Sequence, residues 1–251
     1  MKIIKCIQVF LLIFYTHIGY SQNTMDIHLN SGDVIYLSID EIKNITFQDS
    51  SRICKIVILG SSTAEGRGPE SADSAWVNRY RTYLKSLNIN NEVVNLAVGG
   101  YTTYHIMADD YIPPSDRPSP SIGHNITKAI SLNPTAIIIN LPSNDVGREY
   151  SINEQLSNYR AVVNQVNNYN IPVWITTSQP CNYAEKYREA LKTMRDSTFL
   201  IWGKYTIDFW NGISTSEGRI KEEFNVDGTH LNKDAHRIFF NRVVEKNISM
   251  W

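Results

Sequence analysis

The sequence predicts an α/β domain, a parallel sheet with helices on both faces, carrying a small β appendage at its N-terminal side. From Ile53 onward, short apolar runs alternate with amphipathic stretches at helical spacing. The first of these runs, Ile56-Val57-Ile58-Leu59, is continuously apolar and ends at Gly60, as a strand buried on both faces requires. With 251 residues, 42% hydrophobic and 20% charged, the chain can bury one substantial core but leaves little for a second full domain.

Taken in order, residues 1–22 read as a signal peptide. Lys2 and Lys5 precede Cys6–Tyr15, an apolar stretch too short to span a membrane, and small or polar Gly19 and Ser21 follow. The mature chain is expected to begin near Gln22 and to be exported to the periplasm, the cell surface or the medium, with no integral membrane segment. Cys6 precedes the apolar core of the leader, so a lipid-anchored cysteine at the cleavage point is not indicated. Residues 23–50 are expected to form the β appendage, with alternating Ile27 and Leu29, a turn at Asn30-Ser31-Gly32-Asp33, then Val34, Tyr36 and Ile45-Thr46-Phe47. So short a segment cannot build its own core. The main domain is then expected over 51–251.

Within that domain Lys55–Gly60 is the first strand, and Ala75–Leu87 a helix with Trp76, Tyr80, Tyr83, Leu84 and Leu87 turned to the core. Strands follow at Glu92–Ala97, Ala136–Leu141, Val173–Thr177 and Thr206–Phe209. Helices are expected at Ile152–Tyr169, Ala184–Met194 and Asn232–Ile248. Between the second and third strands, Ile112–Asn125 holds Pro113, Pro114, Pro118 and Pro120, so it cannot be helical or paired throughout. Beginning soon after a strand end, it is read as a wall of a substrate pocket, with a plain surface excursion as the alternative. Cys54 and Cys181 fall at opposite strand ends, which argues against a disulfide, and no zinc-type spacing is present.

A formal net charge of -1 gives no basic field for nucleic acid. Small neutral or mildly charged substrates fit better. In doubly wound folds ligands bind beyond the carboxyl ends of the strands, and the unusual polar residues gather there: Ser62, Gly100, Asn144 and the Asp227-Gly228-Thr229-His230 turn. These are the parts of a serine hydrolase. A serine hydroxyl needs a neutral imidazole within hydrogen-bond reach, and that imidazole needs a carboxylate to fix its tautomer. Asp227 and His230 can meet within one turn. A developing oxyanion needs preorganised donors, available from the Ser62 and Gly100 amides and the Asn144 carboxamide. Hydroxylated residues after a strand can also serve as a plain helix cap.

Four motifs in order resemble those of the SGNH hydrolase superfamily, also called GDSL-like esterases. GSSTAEG from Gly60 places Ser62 at the nucleophile position, and NLAVGGYT from Asn95 places Gly100 at the oxyanion glycine. PSND from Pro142 places Asn144 at the oxyanion asparagine, and VDGTHLN from Val226 places Asp227 and His230 at the acid and base positions. The resemblance covers roughly residues 53 to 251. It implies a three-layer α/β/α sandwich around a five-stranded parallel, flavodoxin-like sheet, in agreement with the strand count, and an ester hydrolase needing no metal or cofactor. Two departures stand out: Ser61 where aspartate is common, and Pro142 where glycine commonly precedes the asparagine by two. No Gly-x-Ser-x-Gly elbow follows a strand, so the larger α/β-hydrolase architecture is not supported.

Export, a compact pocket and the resemblance favour removal of acetyl or another short acyl group from a carbohydrate. Tyr101, Tyr104 and Trp210, read as exposed, can stack on sugar rings, although most of the many tyrosines serve packing. His105, Arg117 and His124 flank or belong to the proline-rich loop and complete the candidate substrate contacts. His236 falls within the final helix and is read as structural. Longer-chain lipase, thioesterase or acyltransferase activity would use the same residues, and a non-catalytic glycan-binding protein is the alternative outside catalysis.

Overall fold

The computed structural model describes residues 24–28, 32–38 and 53–250. The chain divides into two compact units, Met1–Arg52 and Ile53–Trp251. In the first, β1 (Thr24–His28) and β2 (Val34–Ser38) pair antiparallel as a two-stranded sheet with Asp26 opposite Tyr36. The expected leader, Leu29 and the Ile45-Thr46-Phe47 segment lie outside the described residues.

The second unit is a five-stranded sheet in the order β4-β3-β5-β6-β7, with every pair parallel. Its strands are β3 (Lys55–Gly60), β4 (Glu92–Asn95), β5 (Ala136–Asn140), β6 (Val173–Thr176) and β7 (Thr206–Ile207). The two-residue period of a strand sorts its side chains into two cores. Ile56, Ile58, Ala136, Ile138, Trp174 and Ile207 face one helical layer, made by α2 (Trp76–Leu87) and α7 (Lys233–Glu245). Val57, Leu59, Ile137, Ile139, Val173 and Ile175 face the other, made by α3 (Ile126–Ser131), α5 (Ile152–Asn167) and α6 (Glu185–Trp202). Burial on both faces explains why these strands read as unbroken apolar runs. In the first layer, Phe209 stacks on Phe239 at 3.9 Å and meets the edge of Trp76 at 5.6 Å.

The helix termini follow local chemistry. Ser151 and Glu154 form a reciprocal capping box at the start of α5, and the Asn232 side chain accepts from the Asp234 and Ala235 amides at the start of α7. Three elements differ from expectation. Helix α6 runs on past Met194 to Trp202, and within it the Thr198 hydroxyl donates back to the Met194 carbonyl at 2.7 Å. Strand β4 ends at Asn95, whose side chain accepts from the Ala97 amide at 3.1 Å and bends the chain there. Strand β7 stops at Ile207, and the Phe209 amide donates to the Thr177 hydroxyl rather than to a neighbouring strand. Three helices were not anticipated, α1 (Ser62–Glu65), α3 and α4 (Asn144–Gly147), all too short for a periodic apolar signal.

Strand order reverses between β3 and β5, so a crevice opens where both chains leave the sheet. Ser62 lies two residues beyond the end of β3, and Asn144 four residues beyond the end of β5. Cys54 and Cys181 are both buried and not joined by a disulfide. No helix among the described residues is long and apolar enough to cross a membrane.

Candidate active site

Ser62 is the first residue of α1, so its amide has no acceptor within the helix. Its hydroxyl lies 3.1 Å from His230 Nε2, and His230 Nδ1 lies 2.7 Å from Asp227 Oδ2. A carboxylate accepts only, so Nδ1 carries the proton and Nε2 is left to accept from the serine hydroxyl. Asp227 Oδ1 accepts from the backbone amides of Thr229 at 3.0 Å and His230 at 2.7 Å. Burial opposes the ionised carboxyl, but the His230 ring and these amides outweigh it and hold its pKa at about 2. Asp227 is therefore a carboxylate throughout the range in which an imidazole can act as a base.

The turn that carries both groups is closed on itself. Val226 N donates to the His230 carbonyl at 3.1 Å, and the Gly228 amide donates to Asn225 Oδ1 at 2.7 Å. Gly68, on the segment leaving α1, supports it from outside. A Cβ there would sit 2.0 Å from the Leu231 carbonyl oxygen, and its φ of +110° already excludes most side chains.

Gly100 adopts φ +82° in the turn after β4, next to α1, since a Cβ on Gly99 would meet Glu65 Oε2 at 2.9 Å. The Asn144 Nδ2 donates to the Tyr101 carbonyl at 2.8 Å, an acceptor-only partner that fixes the carboxamide's orientation and leaves the second N–H of that nitrogen over. Directly after Asn144, the buried carboxylate of Asp145 accepts from the Thr103 amide and, at 2.6 Å, from the Thr103 hydroxyl. These bonds tie the turn holding Gly100 to the helix holding Asn144. Such a set can do acyl-transfer chemistry: a base-activated hydroxyl on one side and backbone and carboxamide donors on the other.

The two departures from the family pattern are buried. The Ser61 hydroxyl has no hydrogen-bond partner, while its amide donates to the Asn140 carbonyl at 3.0 Å, joining the ends of β3 and β5. Pro142 is buried at the end of β5, two residues before Asn144.

The expected substrate contacts separate into two groups. Tyr101 is half-buried and stacks on His105 at 4.4 Å, with His124 edge-on at 6.3 Å, a small aromatic surface beside Gly100. His105 Nδ1 accepts from the Thr102 amide at 3.0 Å; burial first, and the Arg148 charge second, lower its pKa and keep the ring neutral. Tyr104 and Arg117 both engage Glu154. Tyr104 is 3% exposed and donates its hydroxyl to Glu154 at 2.6 Å, and Arg117 forms a two-pronged ion pair with the same carboxylate while lying over the Tyr150 ring. Trp210, 3% exposed, packs with Cys181, Leu191 and Val146 and presents no open ring. In the proline-rich loop, Ser121 hydrogen-bonds the Tyr101 hydroxyl.

Sequence reasoning missed the segment after β6. Asn182 donates its amide to the Gly228 carbonyl at 2.7 Å, and Gln179 Nε2 donates to the Thr229 carbonyl at 3.0 Å. The one signal was a polar Gln179 three residues past the end of β6, which by itself does not reveal its partners. Among the described residues no group of His, Cys, Asp and Glu is placed to hold a metal ion.

Comparison with known proteins agrees with this architecture. A lipase/acylhydrolase from Enterococcus faecalis superposes with a TM-score of 0.58 at 15% identity, covering 79% of this chain and 97% of that one. The psychrotrophic esterase EstA from Pseudoalteromonas sp. gives 0.54 at 17% identity, with 77% and 96% covered. A two-domain esterase active on acetylated mannans gives 0.52 at 13% identity, covering 79% of this chain and 50% of that one. At these identities the likeness is one of fold. No curated protein matches the chain by sequence. The family description "GDSL-like Lipase/Acylhydrolase family" matches residues 58–238, a span running from β3 into α7 and containing Ser62, Gly100, Asn144, Asp227 and His230. The chain is an ester hydrolase and belongs to the GDSL-like lipase/acylhydrolase family.

Proposed function

We propose that the protein is an exported serine esterase that removes acetyl or another short acyl group from a carbohydrate, using Ser62 as nucleophile, His230 as base and Asp227 as its orienting carboxylate. The observation that carries this reading is the unbroken hydrogen-bond chain from Ser62 Oγ through both nitrogens of His230 to Asp227. As Ser62 Oγ bonds to the ester carbonyl carbon, its proton passes to His230 Nε2. The oxyanion is met by the Ser62 and Gly100 amides and the remaining Asn144 N–H. Collapse breaks the bond to the alcohol oxygen, which takes the proton from His230. Water then repeats the sequence, releasing the acid and restoring the serine.

The carbohydrate side is supported by the Tyr101–His105 stack beside Gly100, a flat surface suited to a sugar ring, and by the fold likeness to an esterase active on acetylated mannans. Export is supported by the charged and then apolar leader in residues 1–22. The test is acetate release from acetylated polysaccharides together with a nitrophenyl ester series of rising acyl length. Release by the native protein and not by Ser62→Ala, with rates falling beyond short acyl groups, is expected. Faster turnover of long acyl chains would instead make it a lipase or thioesterase. No release and no ester hydrolysis would leave a binding protein.

A further inference from the structure

We propose that Gln179 is a positioning residue that locks the serine-bearing helix and the histidine-bearing turn into one unit; the inference rests on the catalytic reading above. Ser62 and His230 are 168 positions apart and belong to separate elements, yet their working contact of 3.1 Å tolerates little play. Gln179 is 1% exposed, within the run 173–181 that is buried throughout. Its Oε1 accepts from the Thr63 hydroxyl at 2.9 Å, and its Nε2 donates to the Thr229 carbonyl at 3.0 Å. Thr63 follows the nucleophile in the chain and Thr229 precedes the base. The Thr229 carbonyl only accepts, so the amide nitrogen must face it, and the oxygen must face Thr63. One carboxamide thus bonds the neighbours of both reacting groups, using opposite ends. Apolar packing at this position would need only a methionine or leucine of similar volume.

Displacing reacting groups by about 1 Å can cost on the order of a hundredfold in rate. Gln179→Met, which keeps the volume and removes both bonds, is therefore expected to lower kcat about 10- to 100-fold with KM unchanged, and to slow fluorophosphonate labelling of Ser62 by a similar factor. Gln179→Glu gives a signature that mere packing would not. As a neutral acid it reproduces both bonds, hydroxyl to Thr229 and carbonyl from Thr63. As a carboxylate it cannot donate to Thr229. Its kcat relative to native should rise as pH is lowered, whereas the Gln179→Met ratio stays flat. The titratable groups nearby are Asp227 and His230 on the turn, Glu65 on α1, and Cys181 and Tyr183 in the same segment; the negative charge added beside them would by itself lower the ratio in acid, opposite in sign to the rise the clamp predicts. Thr63→Val breaks the same unit from the other side, so the double variant with Gln179→Met should be no slower than Gln179→Met alone.

A folded Gln179→Met with kcat within twofold of native would overturn the proposal. So would a Gln179→Glu ratio that is flat with pH, or full additivity with Thr63→Val. Should Gln179→Met not fold, Gln179→Glu and Thr63→Val carry the test. A native protein that hydrolyses no ester and takes no label would refute the catalytic reading itself. An active native protein with unaffected variants refutes only the clamp.

Discussion

His236 makes the stability of the domain depend on pH with a predictable sign and size. It lies in α7, fully buried, and its Nδ1 accepts from the Trp76 backbone amide at 3.2 Å, a bond that needs an unprotonated nitrogen. Burial pushes its pKa from 6.5 down to about 3; the Arg67 backbone pulls upward and the Arg79 charge adds to the lowering. The folded state therefore refuses a proton that the unfolded chain accepts below about pH 6.5. The stability this group confers is fully present above that pH and is lost progressively as pH falls toward the folded value. Each pH unit inside the window is worth about 1.4 kcal/mol, so at about pH 5 the loss relative to about pH 8 is roughly 2 kcal/mol. For a domain of this size that is a fall in Tm of roughly 4–8 °C. Thermal or urea unfolding of native protein and His236→Asn, each at both pH values, reads the effect. Asparagine can still accept from the Trp76 amide but does not titrate, so its packing defect is a constant offset. Asp145 has the opposite sign: burial raises its pKa to about 6, so its contribution falls as pH rises through the range 4 to 6, equally in both proteins. Equal acid losses in native and His236→Asn would refute the reasoning.

The remaining predictions concern the site. Asp227→Asn should lower kcat by about 10³- to 10⁴-fold with KM little changed, because the amide no longer holds the proton on His230 Nδ1; steady-state kinetics decides it. Asn144→Ala should cost about 10²- to 10³-fold in kcat, the size of one oxyanion donor, again without a matching rise in KM. Gly68→Ala forces a Cβ to within 2.0 Å of the Leu231 carbonyl oxygen at φ +110°, next to His230. It should destabilise by roughly 2 kcal/mol or more in thermal unfolding and lower kcat at temperatures where the variant remains folded.

Much of this molecule is legible in its sequence, for reasons that differ by element. Strands buried on both faces announce themselves as apolar runs, and Asp227 and His230 lie close enough in the chain for local turn geometry to bring them together. Ser62 is visible because a strand must end there. What sequence does not show is burial after the fold closes. Tyr104 and Arg117 read as substrate contacts, and the sequence does not show that Glu154, 50 and 37 residues on, takes their polar groups. The same limit hid Gln179, whose partners Thr63 and Thr229 are 116 and 50 residues away along the chain. Short helices such as α1 and α4 escape because a single turn has no period to detect.

The most direct measurement is the mapping of a fluorophosphonate adduct by peptide mass spectrometry. The account predicts one adduct, on Ser62, absent from Ser62→Ala and forming far more slowly in Asp227→Asn, whose side chain no longer fixes the imidazole. An adduct on another residue, or labelling of Ser62 at an unchanged rate in Asp227→Asn, would contradict it.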